Sequence, residues 1–312
     1  MRRRDFIRSA TAAAGLGLIA ASGADAYVYT PPAAGGGERE KAVPGAPSYV
    51  LQGGARRMKA MVSGMLPGDL NLAQRMELTR KVGFDGLEIG PVGPQSASEM
   101  KDAADKAGVI LHSVIYGGWG APMSSADPAV IKQGISEIEN ALRTAKAAGC
   151  DAVLLVPAVV NAETAYGDAY TRSQENIRKV VPLAEELRVI IAIENVWNNF
   201  LLSPVEFARY VDEFDTPWVR AYLDCGNMVK FGWAEHWVRA LGPRIAKVHL
   251  KDFKREGNQF VMLRDGDINW PEVMRAFDEV GYQGWFTTEL GGGDEAYLKD
   301  VAHRVDLILA GE

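Results

Sequence analysis

The chain has 312 residues, with 34 basic and 40 acidic side chains and a formal net charge of −6. Binding to a phosphate backbone depends on a basic surface, so this acidic balance argues against a nucleic-acid partner. Two cysteines are too few for a disulfide framework.

The first 26 residues predict an export signal and not part of a folded domain. Arg2–Arg4 precede an uncharged stretch rich in Ala, Gly and Leu at 9–23, and Ala24–Ala26 form a small-x-small cleavage pattern. The paired arginines before Asp5–Arg8 resemble a twin-arginine signal, which implies a periplasmic protein. A basic membrane anchor is the alternative, but the apolar stretch is short for a spanning helix. We therefore expect no stable membrane insertion once the signal is removed.

Residues 27–56 are rich in Pro and Gly and have no apolar period, which predicts a flexible linker. The remaining residues, 57–312, match the size of one (β/α)8 TIM barrel, for which about 250 residues are typical. Strands are predicted at 58–63, 86–89, 109–114, 152–156, 189–194, 219–224, 245–250 and 285–289. Helices are predicted at 71–82, 98–107, 128–148, from about 170 to 187, at 270–280 and at 294–309, with another beginning after Ser203.

Strands that alternate with helices define the α/β class and a parallel sheet, here a single closed barrel. A doubly wound open sheet is the alternative, but no glycine-rich phosphate motif follows the first strand. Cys150 precedes the fourth strand and Cys225 follows the sixth, which would place them at opposite barrel ends, roughly 15 Å or more apart. A disulfide requires Cα atoms within about 7 Å. We expect both cysteines to be free.

Four strand ends in the second half of the chain carry residues of metal-ligand type, namely Glu194, Asp224, His249 and Glu289. They are 30, 25 and 40 residues apart, about one βα unit per step. All strands of a parallel barrel point the same way, so these side chains should meet at one rim. Three carboxylates and one imidazole suit one divalent ion such as Mn²⁺, Co²⁺, Mg²⁺ or Zn²⁺. Asp252 is an alternative ligand to His249, but its side chain would require a bend in the strand.

Between about 186 and 290 the sequence resembles the sugar isomerase/epimerase superfamily with a xylose isomerase-like barrel. The segments that carry the resemblance are Ile193–Asn195, Leu223–Asn227, Val248–Asp252 and Thr288–Glu289, with similar segments at Gly83–Glu88 and Gly266–Trp270. In its ketose 3-epimerase branch the four ligands hold one divalent metal, and the two glutamates act as acid and base. The resemblance assigns those catalytic roles to Glu194 and Glu289. Barrels of this family often dimerise, so a homo-oligomer is an expectation.

The sequence therefore predicts an exported, metal-dependent sugar isomerase or epimerase. It would abstract a proton α to a carbonyl, with the metal stabilising the enediolate and small carbohydrates as substrates. Candidate substrate contacts are His112, Trp119, Glu88, Trp197, Asn227, Lys251 and Arg255. Phe200 and Asn227 depart from the ketose epimerase branch, which has a substrate-contacting glutamate and histidine there. One alternative is a metal-dependent lyase or hydratase acting on a keto-sugar or 3-keto-glycoside, and another is a non-catalytic sugar-binding barrel.

Overall fold

Eight parallel strands close into a barrel in the computed structural model, which describes residues 57–312. The predicted signal peptide and linker lie outside the described residues. The barrel strands are β1 (Arg57–Val62), β2 (Gly86–Ile89), β3 (Ile110–Gly117), β4 (Ala152–Leu155), β5 (Ile190–Glu194), β6 (Val219–Asp224), β7 (Ile245–Leu250) and β10 (Gly284–Thr288). Two further strands, β8 (Asp252–Lys254) and β9 (Gln259–Val261), form a separate antiparallel hairpin.

The helices surround this barrel. They are α1 (Leu72–Lys81), α2 (Pro94–Ala107), α3 (Pro128–Ala148), α4 (Tyr166–Arg178), α5 (Val181–Leu187), α6 (Pro204–Asp212), α7 (Ala234–Leu241), α8 (Trp270–Glu279) and α9 (Glu295–Leu309). Short 3₁₀ turns occupy Ser63–Met65, Asn227–Lys230 and Gly242–Arg244. Within residues 57–312, no helix combines the length and apolar character needed to cross a bilayer.

The strand order around the barrel is β1-β10-β7-β6-β5-β4-β3-β2, so the last barrel strand pairs with the first. That closing pair runs in register from Arg57↔Gly284 to Met61↔Thr288. Closure confirms the predicted barrel and excludes the open doubly wound sheet. Strand β4, for example, is buried along its whole length, as expected for a parallel sheet covered by helices.

Local sequence signals account for several element boundaries. Asp127 caps α3 by accepting a hydrogen bond from Ala129 N at 2.8 Å, and Gly149 ends the helix in the left-handed conformation, with φ of 76°. The predicted helix ending at residue 187 is divided into α4 and α5, because Pro182 has no backbone N–H to continue the helical hydrogen bonds. Cys150 and Cys225 are buried and free, as predicted.

The β8–β9 hairpin lies between β7 and α8, where the sequence analysis predicts neither a strand nor a helix. Its strands pair from Asp252↔Val261 to Lys254↔Gln259. The buried carboxylate of Asp252 accepts hydrogen bonds from Arg264 N at 2.8 Å and Trp270 Nε1 at 3.0 Å. These bonds tie the hairpin to the start of α8, so it forms a fixed wall beside the carboxyl-terminal end of the barrel.

Candidate metal centre

Four side chains meet at the carboxyl-terminal rim of the barrel. Glu194 and Asp224 end β5 and β6, His249 lies near the end of β7, and Glu289 follows β10. Asp224 and His249 are register partners, and Glu289 N donates to Leu250 O at 3.3 Å. One donor atom from each of the four residues lies within 4.8 Å of the other three. Donors that bind one ion from opposite sides are about 4 to 5 Å apart, so this spacing fits a single cation.

His249 is held between carboxylates on both of its ring nitrogens. Nδ1 lies 3.0 Å from Glu194 Oε1 and 2.9 Å from Glu289 Oε2. Nε2 lies 2.7 Å from Glu88 Oε2, and Ser113 Oγ donates to the other oxygen of Glu88. An ionised carboxylate can only accept hydrogen bonds, so Glu88 fixes the proton on Nε2 and leaves Nδ1 directed at the cluster. A second carboxylate of this kind commonly orients a metal-binding histidine.

Asp224 divides its two oxygens between the backbone and the cluster. Oδ1 accepts hydrogen bonds from Gly226 N at 2.8 Å and Asn227 N at 2.7 Å. Oδ2, like Glu289 Oε2, is buried and finds no well-aligned hydrogen-bond donor among residues 57–312. Lys251 Nζ lies 3.1 Å from the first of these oxygens and 2.6 Å from the second. Buried carboxylate oxygens without directed donors are costly, and a bound cation would satisfy them.

The ionisable groups of the cluster perturb one another strongly. Burial raises the pKa of Glu194 to about 7. Burial alone would also raise the pKa of Glu289, but His249 and Lys251 hold it well below its usual range. For His249 and Lys251 the balance is reversed: burial disfavours the charged forms, yet the surrounding carboxylates raise both pKa values. The centre is thus an excess of buried carboxylates partly balanced by two cations. With three oxygen donors and one nitrogen, it fits Mn²⁺, Co²⁺, Mg²⁺ or Zn²⁺.

Three residues expected to contact substrate at the rim are buried instead. Glu88 has no exposed surface and lies behind His249. His112 lies near the beginning of β3, inside the barrel, where its ring stacks on Trp285 at 4.6 Å; burial lowers its pKa well below the usual value. Asn227 donates from its side chain to Asn195 O at 2.9 Å, and its backbone N–H bonds Asp224. Glu88 and Asn227 support the cluster through these hydrogen bonds. His112 packs in the barrel core, where Nε2 lies 3.1 Å from Thr287 Oγ1 and Nδ1 has no hydrogen-bond partner among residues 57–312.

The other expected contacts lie on rim loops. Lys251 belongs to the cluster itself, through its contacts with Asp224 and Glu289. Trp119 and Trp197 are exposed on the loops after β3 and β5. Arg255 is on the hairpin turn, where it donates to Gly232 O at 2.6 Å.

Phe200, which departs from the ketose epimerase pattern, is 1% exposed. It packs against Tyr166, Tyr170 and Tyr210, with ring centroids 5.1, 6.0 and 5.5 Å away. The side chain at this position is therefore part of an apolar cluster and does not offer a polar contact to a ligand.

Two supporting residues were not predicted from the sequence. Asn195 Oδ1 accepts from Asp224 N at 2.9 Å, and its amide donates to Asp224 O at 3.0 Å, which fixes the strand end that carries the ligand. Ser113 is the register partner of Glu88 on the neighbouring strand. Two signals could have revealed these residues. Asn195 directly follows Glu194 in the sequence, and Ser113 lies beside Glu88 on the neighbouring strand.

The fold is a closed (β/α)8 barrel with a cluster of metal-ligand type at its carboxyl-terminal rim. A family model described as a xylose isomerase-like TIM barrel matches residues 76–306, and the chain belongs to this family.

Its relatives include proteins named as sugar epimerases. The 2-epi-5-epi-valiolone 7-phosphate 2-epimerase of Actinoplanes sp. is 29% identical over 191 residues, which cover 58% of this chain and 67% of that protein. The L-ribulose-5-phosphate 3-epimerase of Escherichia coli is 22% identical over 240 residues, covering 72% and 84%. Among solved structures, the 3-keto-D-glucoside 4-epimerase of E. coli superposes with a TM-score of 0.70 at 14% identity, covering 82% and 99%. At that identity the structural likeness supports the fold alone.

Proposed function

We propose that this protein is a divalent-metal-dependent sugar isomerase or epimerase that moves a proton at a carbon α to a carbonyl. The observation that carries the proposal is the pair of carboxylates, Glu194 and Glu289, that meet at one imidazole nitrogen within a four-residue cluster of metal-ligand type. The sugar epimerases among its relatives support the same class of reaction.

Each residue of the cluster has a distinct part in this proposal. Glu194, Asp224, His249 and Glu289 would hold the metal, which when bound supplies Lewis acidity toward the substrate's carbonyl and adjacent hydroxyl oxygens. Glu194 and Glu289 come from β5 and from the end of β10, so they reach the site from different strands. One carboxylate takes the proton from carbon and the other returns one, as an acid–base pair requires. Lys251 positions the Glu289 carboxylate, while His249 and Asp224 exchange no proton.

We further propose that the chain is exported by the twin-arginine route to the periplasm. The basic and apolar segments of residues 2–23 support this proposal, and they lie outside the residues that the structure describes. Sugar phosphates are cytoplasmic metabolites, so an exported enzyme would meet free sugars, keto-sugars or glycosides. Homo-oligomer formation stays a prediction.

A metal-dependent lyase or hydratase acting on a keto-sugar or 3-keto-glycoside is a second candidate. The burial of Phe200 favours it, because the site offers no polar side chain at a position where ketose 3-epimerases contact their substrate. Such an enzyme would use the same proton abstraction, followed by loss of a β-substituent instead of reprotonation.

Deuterium exchange tests both candidates. The Mn²⁺-loaded protein is incubated in D₂O with free ketoses, aldoses and 3-keto-glycosides, and the products are followed by NMR. We expect deuterium at the carbon α to the carbonyl and a loss of at least about 10²-fold in exchange rate in Glu194→Gln and Glu289→Gln. Glu256→Gln, which changes an exposed carboxylate on the hairpin turn, is the matched control and should exchange normally.

The outcomes separate the three functions. Exchange that survives chelation, or that survives in both glutamine variants, would refute the proposed mechanism. An unsaturated or cleaved product would assign the protein to the lyases. Metal binding and sugar binding without exchange or product would make it a binding protein.

A further inference from the structure

The exposed Trp and Phe rings of the described chain are confined to one end of the barrel. Trp119 follows β3, Trp197 follows β5, Phe231 and Trp233 follow β6, and Phe260 lies on β9 beyond β7. All five therefore belong to loops at the carboxyl-terminal rim, the rim that carries the metal-ligand cluster. Exposing large apolar rings to water is unfavourable, so their restriction to the functional face calls for a ligand that covers them.

Two of these rings form what we call the aromatic shelf, Trp197 and Phe260. Their ring centroids are 4.9 Å apart, with planes 28° from parallel. The buried ring of Phe253 packs edge-on beneath both, at 5.5 and 5.4 Å. Trp197 Nε1 donates to Asn227 O at 2.8 Å, and Lys230 Nζ lies 4.6 Å from the Trp197 ring. These contacts fix the two rings, and Lys230 lies over a face of the Trp197 ring, although Trp197 and Phe260 are 38% and 44% exposed.

The shelf is about one sugar ring away from the metal-ligand cluster. Lys251 Nζ lies 2.6 Å from Glu289 Oε2 and 5.7 Å from the centroid of the Phe260 ring. These two distances leave at most about 8 Å between the carboxylate and the ring. A substituent on a sugar held at the cluster would therefore be within reach of Phe260.

A cleft of about 530 Å³ lies beside the cluster, and its lining includes Lys251 and Glu289 from the cluster and Phe260 from the shelf. The charged side chains of Lys251 and Glu289 line this cleft together with the apolar side chains of Met262 and Leu290 and the ring of Tyr297. Clefts of roughly 300–1,000 Å³ accommodate drug-sized ligands, which are larger than a single hexose. The charged residues of the lining belong to the cluster, and the remaining lining residues are apolar or aromatic.

We propose that the substrate is a glycoside, whose first sugar ring lies at the cluster and whose second ring packs on the aromatic shelf. This inference rests on the proposed function and specifies its substrate class. The second ring is either a sugar, through its apolar C–H face, or an aryl group, since both pack well on aromatic rings. A free monosaccharide would leave the outer cleft and the shelf in contact with water.

Paired ligands test the inference by direct binding to the Mn²⁺-loaded protein. For each of several sugars, we would compare the methyl glycoside with the phenyl glycoside and with the matching disaccharide, using calorimetry and saturation-transfer NMR. Covering about 60 Å² of ring surface corresponds to roughly a tenfold gain in affinity. We expect at least one phenyl glycoside or disaccharide to bind about tenfold more tightly than its methyl partner, with saturation transfer to the second ring.

Substitutions in the aromatic shelf test whether its rings cause the preference for a second ring. Trp197→Ala and Phe260→Ala should each abolish the preference, and Phe260→Ala should leave binding of the methyl glycoside within about twofold. Phe260→Leu removes the aromatic face but keeps an apolar side chain of similar volume. It serves as a second variant if Phe260→Ala disrupts the hairpin. Ile110→Ala, which removes an exposed apolar side chain at the start of β3, should retain the preference.

Every other result overturns the inference. This includes equal binding within all pairs, absence of binding by every glycoside, and a preference that survives both shelf variants. It also includes a lower molecular mass in solution for Trp197→Ala or Phe260→Ala than for the unaltered protein, because the rings would then contact a second copy of the chain. Exchange on a free sugar without any preference for a second ring would leave the proposed function intact and refute only this inference.

Discussion

Glu88 is the residue whose replacement most directly tests how the cluster is organised. Its carboxylate is fully buried and accepts hydrogen bonds from His249 Nε2 at 2.7 Å and from Ser113 Oγ. Glu88→Ala leaves two buried donors without an acceptor, each costing about 1–3 kcal/mol. We expect the free energy of unfolding to fall by roughly 2–6 kcal/mol. His249 also loses the contact that fixes its proton on Nε2, so the affinity for Mn²⁺ should fall about 10- to 100-fold.

The assay is a Mn²⁺ titration followed by electron paramagnetic resonance of the free ion, together with urea unfolding. Glu88→Gln should lose less affinity than Glu88→Ala, because its amide oxygen can still accept from His249 Nε2. Glu137→Ala is the control: it removes a carboxylate that accepts from Tyr116 Oη at 2.6 Å, far along the chain from the ligands. Unchanged Mn²⁺ affinity in Glu88→Ala, with stability reduced as in the control, would refute the orienting role.

Three further predictions concern the metal and the hairpin. Chelation should lower the calorimetric midpoint by about 5–10 °C relative to protein at a hundredfold excess of Mn²⁺ over Kd, and no shift would contradict a bound ion. Asp252→Asn should reduce the free energy of unfolding by about 1–3 kcal/mol and leave Mn²⁺ affinity within twofold; a tenfold loss of affinity would instead make Asp252 a ligand. Gly266→Ala should destabilise the protein by about 1–3 kcal/mol, because the added Cβ would overlap Asp252 Oδ1. The control is Gly64→Ala, whose Cβ meets nothing within 4 Å and should leave the stability unchanged. Equal unfolding midpoints for the two variants would contradict this packing.

The sequence was sufficient to predict the barrel and the meeting of Glu194, Asp224, His249 and Glu289. Parallel strands end at one rim, so residues at successive strand ends converge whatever the detailed packing. The bounds of α3 were also predictable, since Asp127 and Gly149 mark its two ends.

The sequence did not predict how deeply each residue lies in the barrel or which residues meet across its interior. Strand alternation tells which side of the sheet a residue faces, but β2 and β7 are not neighbours in the barrel. The contact between Glu88 and His249 forms across the interior and depends on the stagger of the closed sheet. The β8–β9 hairpin has three-residue strands, too short for a periodic pattern, and it is held by Asp252 through residues 12 and 18 positions away.

The position of Glu289 at the end of β10 has a consequence for how the protein is made. During synthesis the fourth ligand emerges after every other barrel strand, and β10 is also the strand that joins β1 to β7. A nascent or truncated chain that lacks this segment can neither close the barrel nor complete the cluster. Metal uptake would thus mark a finished chain. If the protein is exported in the folded state, the ion present at the time of synthesis decides which metal it carries outside the cytoplasm.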